Sequence, residues 1–495
     1  MKPQQIPQQA AQSDHEFDKN HHHHHESQAD DHGDENHLRE YTAKELRSIK
    51  IQGVICLIGG IALHFVLGTF YLWGGISPYV GAYMKDRDES VTQSTLQIIF
   101  PILGIGLFSV LSFGVKLAQR IGYKTMIALG GSIISLAFLI LSFINNIYAF
   151  ILIYCFMVGI PSGLVYMLPI ICGWKFFPFN RGMVSGLIIA GYGFGAFIFN
   201  FVCKAICNPN NVEPSVSFEE DGKIKKYFPR DVFKNVPFMF QMMALSYFIL
   251  TIIATLLIKY PRDLHLEYQS VLGDGVKKPS GINHEKSIDY HPTVLHAECE
   301  SLSQGIKSRP FWFLIVMVLC SVIFGLLMAN CYKVFGQTLG IDDSSLTVLG
   351  SVQSVCNGGS RFIWAVLFDK YGFKKLYLVI SVINLICSAS IGYINNSYAG
   401  YFIILCLTMF CEGGLLSCYP AVSAKVFGHK VGPIIYGGLF FVIGLSNMLG
   451  YLLYKFGEPE IGYNGVFWII FGFCSVAFIL GVFFKEEHEW KKEKR

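Results

Sequence analysis

The chain has 495 residues, 52% of them hydrophobic and only 15% charged, with a formal net charge of +4. Soluble domains carry roughly 25% charged residues, so this balance excludes an ordinary soluble globular fold. The small positive excess says little about partners and gives no indication of nucleic-acid binding, because most Lys and Arg fall between apolar runs.

Residues 1–45 are rich in Gln, His, Asp and Glu and poor in large apolar side chains. Such a segment cannot bury enough surface to offset its ordering entropy, so a disordered tail is expected. His21 to His25 form a run, with His15, His32 and His37 scattered among acids. Metal binding by the tail and plain solvated low complexity are both open, and no metal site is assigned. No cationic stretch with a short apolar core precedes the first apolar run, so a cleavable secretory signal is not expected.

Apolar runs long enough to cross a hydrocarbon core of about 30 Å then follow one another. They lie at 52–77, 92–115, 125–144, 147–172, 182–204 and 236–258, and again at 311–333, 345–368, 375–394, 398–424, 432–454 and 465–484. The reading is an all-α polytopic membrane protein of twelve spans. It divides into a six-helix bundle over 46–258, a linker over 259–309, a second six-helix bundle over 310–485 and a charged tail over 486–495. Residues 208–234 are read as an unusually long loop between spans five and six. Lys116, Arg120, Lys124, Lys175, Arg181, Lys370, Lys374, Lys375, Lys425 and Lys430 all fall on one side. The positive-inside rule makes that side, with both termini and the linker, cytoplasmic. Lys223, Lys225, Lys226, Arg230 and Lys234 in the 208–234 loop weaken the bias. The fourteen cysteines sit mostly within apolar runs and read as small buried hydrophobes.

The two halves are related. The stretch from Val115 to Lys124 aligns with that from Ala365 to Lys374 at an offset of 250, while Gly163 and Pro169 match Gly414 and Pro420 at 251. Matching loops and helix breakers imply two similar bundles with a solute site near the midplane between them.

The loop carrying Arg120 and Gly122, and its better copy carrying Asp369, Lys370 and Gly372, resemble the gating loops of the major facilitator superfamily. Gln119 stands where the first copy usually has an acid. The run Arg181–Ala196, with Gly182, Gly186, Gly191, Gly193 and Gly195, resembles span five of the oxalate/formate antiporter family. Asn357-Gly358-Gly359-Ser360-Arg361 resembles its span eight, and the stretch around Gly68 to Gly74 fits its span one. The resemblance covers about residues 50–485.

Arg361 lies well inside an apolar run, where a guanidinium costs about 2.5–3.5 kcal/mol on insertion scales. It is either a structural arginine or a carboxylate anchor, since its planar fork matches a carboxylate. The resemblance implies the anchor. The basic residue that the antiporters carry in span eleven is replaced here by Ile443, which suits a cavity for one carboxylate rather than two. Tyr71, Tyr166, Tyr192 and Tyr419 are candidates to wall the cavity and donate hydroxyls; Glu412 and His64 are candidates for proton coupling, with structural roles equally open for Glu412.

The expected function is secondary transport of a small organic anion by alternating access, a monocarboxylate of lactate, pyruvate or formate type, by proton symport or anion exchange. A functional monomer in a plasma or organelle membrane is expected, with no cofactor and no catalytic residue. A non-transporting sensor or scaffold with a carrier fold, and a carrier for another solute such as an amino acid, are the alternatives.

Overall fold

The computed structural model describes residues 43–177, 181–220, 223–261, 299–394, 397–486 and 490. Nearly all of the predicted tail, most of the linker and the last five residues lie outside the described residues.

Ten helical stretches among the described residues are long and apolar enough to cross a membrane. Spans one to six are Lys44–Lys85, Gln93–Leu111, Tyr123–Leu141, Ile147–Phe176, Met183–Cys207 and Arg230–Leu257. Span seven is Arg309–Thr338, span nine Phe373–Tyr393 and span ten Tyr398–Gly428. The tenth stretch, Ile434–Phe483, has 50 residues, about 75 Å of helix and enough to cross twice. Its backbone breaks at Gly462 (φ 70°, ψ 176°), which separates span eleven, 434–461, from span twelve, 463–483.

Span eight is the helix Asp343–Tyr371. It does not qualify on composition because it carries Ser351, Gln353, Ser354, Asn357, Ser360 and Arg361, all of them buried. A helix with a polar stripe that faces protein rather than lipid is what a solute pathway requires. With it the count is twelve, and the all-α major facilitator architecture holds.

Caps set the helix starts. Asp342 accepts from the amides of Ser344 and Ser345 at the start of span eight, and Asn146 from those of Tyr148 and Ala149 at the start of span four. The two loops expected to gate turn on Gly122 (φ 97°) and Gly372 (φ 83°), each donating its N–H back to Ala118 or Phe368 at 2.9 Å. Only glycine adopts these dihedrals without strain, so the 250-residue repeat is a repeat of backbone geometry. The second match shifts by one residue. Gly163 packs against the carbonyl of Leu107, and the corresponding approach to the carbonyl of Asn357 is made by Gly413 rather than Gly414. Both pairs then share the offset of 250.

The glycine ladder of span five has two faces. A methyl at Gly191 would meet the Ile61 carbonyl oxygen at 2.7 Å, and Gly195 sits against the Phe65 carbonyl, so this face packs on span one of the same half. Gly186 packs against Phe362, and a methyl at Gly193 would come within 2.8 Å of the Gly358 Cα, so this face packs on span eight of the other half. Small residues at such crossings let backbones meet.

The 208–234 loop departs from expectation. Val216–Glu220 (β1) and Lys223–Tyr227 (β2) pair antiparallel, with Val216 opposite Tyr227 and Glu220 opposite Lys223. The residues between the strands are Asp221-Gly222, a sequence favoured in two-residue hairpin connections. The end of the linker also has structure: Leu302–Lys307 is a short helix whose Gly305 packs against Ile435.

At the end of span twelve, Glu486 accepts from the Lys425 ammonium at 2.6 Å and from the Lys374 amide at 2.7 Å, tying three chain segments together. Partial burial pushes this carboxyl up, but the bonds from Lys425 and Lys374 and their charges outweigh it, holding it below the ordinary glutamate range. Its stabilising contribution is therefore present above about pH 4.3 and lost as pH falls through the lowered value. Glu486→Gln should lower the melting temperature of the detergent-purified protein at neutral pH. The gap from wild type should close as the pH is taken below about 4.

Candidate functional site

The site is built around Arg361, on the polar stripe of span eight. Its NH1 donates to the Tyr166 hydroxyl of span four at 3.2 Å, and its NH2 donates to Asn357 Oδ1 at 3.0 Å. Its guanidinium carbon lies 5.6 Å from the centre of the Tyr192 ring of span five. The Nε has no protein partner. Among the described residues Arg361 makes no ion pair, although it is only 6% exposed. The cation is thus held by neutral groups drawn from both halves.

Local breaks in two helices deliver the neighbouring aromatics. Span one tightens into a 3-10 turn over Gly68–Leu72, whose Gly68 sits against the Tyr192 carbonyl. That turn places Phe70 and Tyr71 against the site. Span four contains a π-helical turn over Ile153–Val158 and is interrupted at Met167, immediately after Tyr166. The rings of Tyr71 and Tyr166 meet that of Tyr192 at 5.7 and 5.8 Å, both edge-on. His64 lies 5.1 Å from Tyr166 and 6.4 Å from Tyr192. Its Nδ1 is 3.1 Å from the Gly60 carbonyl, which can only accept, so Nδ1 carries the proton. In the neutral ring Nε2 is then a buried acceptor without a protein partner.

The structure therefore brings Arg361, Tyr71, Tyr166, Tyr192 and His64 together. Tyr419 is placed elsewhere: its hydroxyl bonds Ser321 at 2.7 Å and its ring lies 6.4 Å from Phe373, inside the second half. Glu412 is fully buried against Gly325 and electrostatically coupled to Arg361 without touching it. Of the gating-loop residues, Arg120 and Lys370 are exposed, Gly122 and Gly372 form the turns, and the Asp369 side chain lies outside the described set.

Four residues join the site that sequence reasoning did not single out for it. Asn357, one helical turn before Arg361, was legible as an i, i+4 partner. Phe70 meets Phe100 in a tilted arrangement at 4.4 Å and Tyr71 edge-on at 5.2 Å. Tyr436 of span eleven meets Phe440 at 4.6 Å; Phe440 in turn meets Phe108 of span two at 5.2 Å, and Phe108 meets Phe70 at 5.8 Å, so this ring chain reaches the site from the second half. Ile443 is fully buried, and span eleven adds no cation there. Such an arrangement can bind one anionic group through a guanidinium, hydroxyls and ring edges.

A family profile described as the Major Facilitator Superfamily matches residues 13–200 and 312–495. Apicoplast pyruvate carrier 1 of Toxoplasma gondii is 26% identical, covering 89% of this chain and 90% of its own. The oxalate:formate antiporter of Oxalobacter formigenes is 23% identical over 74% of this chain and 76% of its own. The solved structure of a D-xylose-proton symporter superposes with a TM-score of 0.60 at 15% identity, covering 88% of this chain and 96% of that one.

A charge retained for a ligand rather than for the fold should destabilise the empty protein. Arg361→Met is expected to raise the melting temperature in detergent. Asn357→Leu, which leaves the guanidinium short of an acceptor, should lower stability by about 1–3 kcal/mol. A fall of several degrees in Arg361→Met would instead identify a structural arginine.

Proposed function

The chain belongs to the Major Facilitator Superfamily and is a membrane transporter rather than an enzyme; from that premise we propose that its substrate is a small monocarboxylate of the pyruvate, lactate or formate class. The observation that carries this reading is the buried Arg361 guanidinium, which among the described residues has no carboxylate partner and is reached from both halves. A substrate carboxylate would supply the missing counter-charge, with a bidentate fit and the Tyr166 hydroxyl beside it. Tyr71, Tyr192 and Phe70 would exclude water and limit size. Kinship with a pyruvate carrier and an oxalate:formate antiporter supports the class. The apolar Ile443 supports one carboxylate over two.

In this proposal the halves 46–258 and 310–485 rock about the site, with the termini and the linker cytoplasmic and the protein acting as a monomer. Glu412 and His64 are the ionisable groups placed to couple a proton to the cycle, which would make the carrier a symporter; exchange of one anion for another would need neither. Uptake of radiolabelled pyruvate, lactate, formate and oxalate into proteoliposomes tests the proposal. Saturable uptake of a monocarboxylate in preference to oxalate is expected. Arg361→Gln should weaken it about ten- to a hundredfold, the value of a charge-assisted hydrogen bond. Monocarboxylate uptake unchanged by that substitution would remove Arg361 from the site, and ligand binding without turnover would favour a sensor.

A further inference from the structure

The 208–234 loop has a job at the mouth of the carrier. Its residues belong to the first half, yet three of them bond acids of the second. Asn208 Nδ2 donates to Asp343 Oδ2 at 2.8 Å, Asn211 Nδ2 to Asp342 Oδ1 at 3.2 Å, and the Lys225 ammonium pairs with Glu458 at 3.3 Å. The Ser344 amide returns a bond to Asn211 Oδ1 at 2.7 Å. On its own half the hairpin is moored by Glu220, which pairs with the buried Lys85 at 3.1 Å, accepts from the Tyr227 hydroxyl and accepts from the Gln93 amide at 3.1 Å. One end is fixed and the other reaches across.

The acid it grips is itself poised. Asp343 pairs with Lys333 of its own half at 2.8 Å and also accepts from the Tyr79 hydroxyl of span one at 2.6 Å. If the halves separate here, Asp343 keeps Lys333 and loses only its donors from the first half, so no buried charge is abandoned.

The seam beneath is polar enough to favour opening. The cavity there is lined by Ser77, Gln97, Tyr227, Phe228, Val334 and Gln337, residues of both halves. Ser77 Oγ, Gln97 Oε1 and Gln337 Nε2 have no protein partner, nor does the nearby Asn330 Oδ1. Unpaired buried polar atoms are unfavourable by about 1–3 kcal/mol each, so a closed seam of this composition needs something to hold it.

We propose that Asn208, Asn211 and Lys225 form a strap that holds this mouth shut, and that the strap releases its three acids each time the mouth opens to its side of the membrane. The Lys225–Glu458 pair is its outermost bond, at the turn between spans eleven and twelve. The strap rests on the carrier reading but not on the identity of the solute.

The test uses a reporter at the seam that needs no substrate. Ser77→Cys is introduced into the full-length protein, and its labelling by a bulky charged maleimide is timed in detergent, against the parent chain as background. Lys225→Glu or Glu458→Lys should each speed labelling roughly three- to tenfold, because like charges then face one another across the mouth. The double exchange Lys225→Glu with Glu458→Lys should bring the rate back toward that of the reporter alone. This recovery also separates release of the strap from misfolding. Equal rates in all four proteins, or a double exchange as fast as the singles, would overturn the proposal. Failure of pyruvate uptake would leave the labelling result standing, so the two readings fail separately.

Discussion

The architecture depends on one unfavourable placement: a guanidinium buried at the seam between two bundles, with no carboxylate in contact among the described residues. The groups in direct contact with Arg361 are neutral: the Tyr166 hydroxyl, the Asn357 amide oxygen and the face of Tyr192. Neutral acceptors satisfy hydrogen bonds without cancelling charge, so the field of the cation persists in the site. Since Tyr166 and Tyr192 come from the first half and Asn357 from the second, the same charge is gripped from both sides. A ligand drawn to it would be held at the seam between the two halves.

Much of this was legible in the sequence, because the bilayer makes length and hydropathy nearly sufficient. Run lengths located all twelve spans, span eight at 345–368 among them, and the repeat located the glycine turns at Gly122 and Gly372. In the structure, span eight carries Ser351, Gln353, Ser354, Asn357, Ser360 and Arg361 buried against protein, which a lipid-facing helix would not tolerate. Four of the five aromatic and histidine candidates also meet at the site. Tyr419 does not, because its depth in a span says nothing about which side of span ten it occupies; Ser321 decides that.

The features that escaped share a cause. Tyr436 and Phe70 reach the site through packing between helices far apart in sequence, where periodicity carries no information. The hairpin β1–β2 lies in a stretch whose Lys and Glu residues read as solvated loop. Its Asp-Gly pair was a local signal for a turn, but the burial of Glu220 beside Lys85 arises only once span one ends beneath it. Likewise the glycine ladder of span five reads as one packing stripe. In three dimensions Gly191 and Gly195 serve span one while Gly186 and Gly193 serve span eight, so a single helix carries both a contact within its own half and a contact across to the other.

The charge arithmetic of the site also bears on what it selects. A monocarboxylate beside Arg361 leaves the pair neutral. A dicarboxylate would leave one negative charge unmatched, with the ring cluster of Phe70, Phe100, Phe108 and Phe440 adjoining Tyr71 and Tyr192 and no basic residue at position 443 to meet it. Glu412 sharpens the difference, because its carboxyl is buried within the electrostatic reach of Arg361. If Glu412 is ionised, it already offsets Arg361 and opposes any anion, and the extra charge of a dianion adds further repulsion in a medium where unit charges interact far more strongly than in water. If it is protonated, the surplus charge of a dianion is still unmatched. In both states the discrimination we propose would come from repulsion and missing partners rather than from an added attraction, and selectivity built on that footing does not require tight binding of the favoured anion.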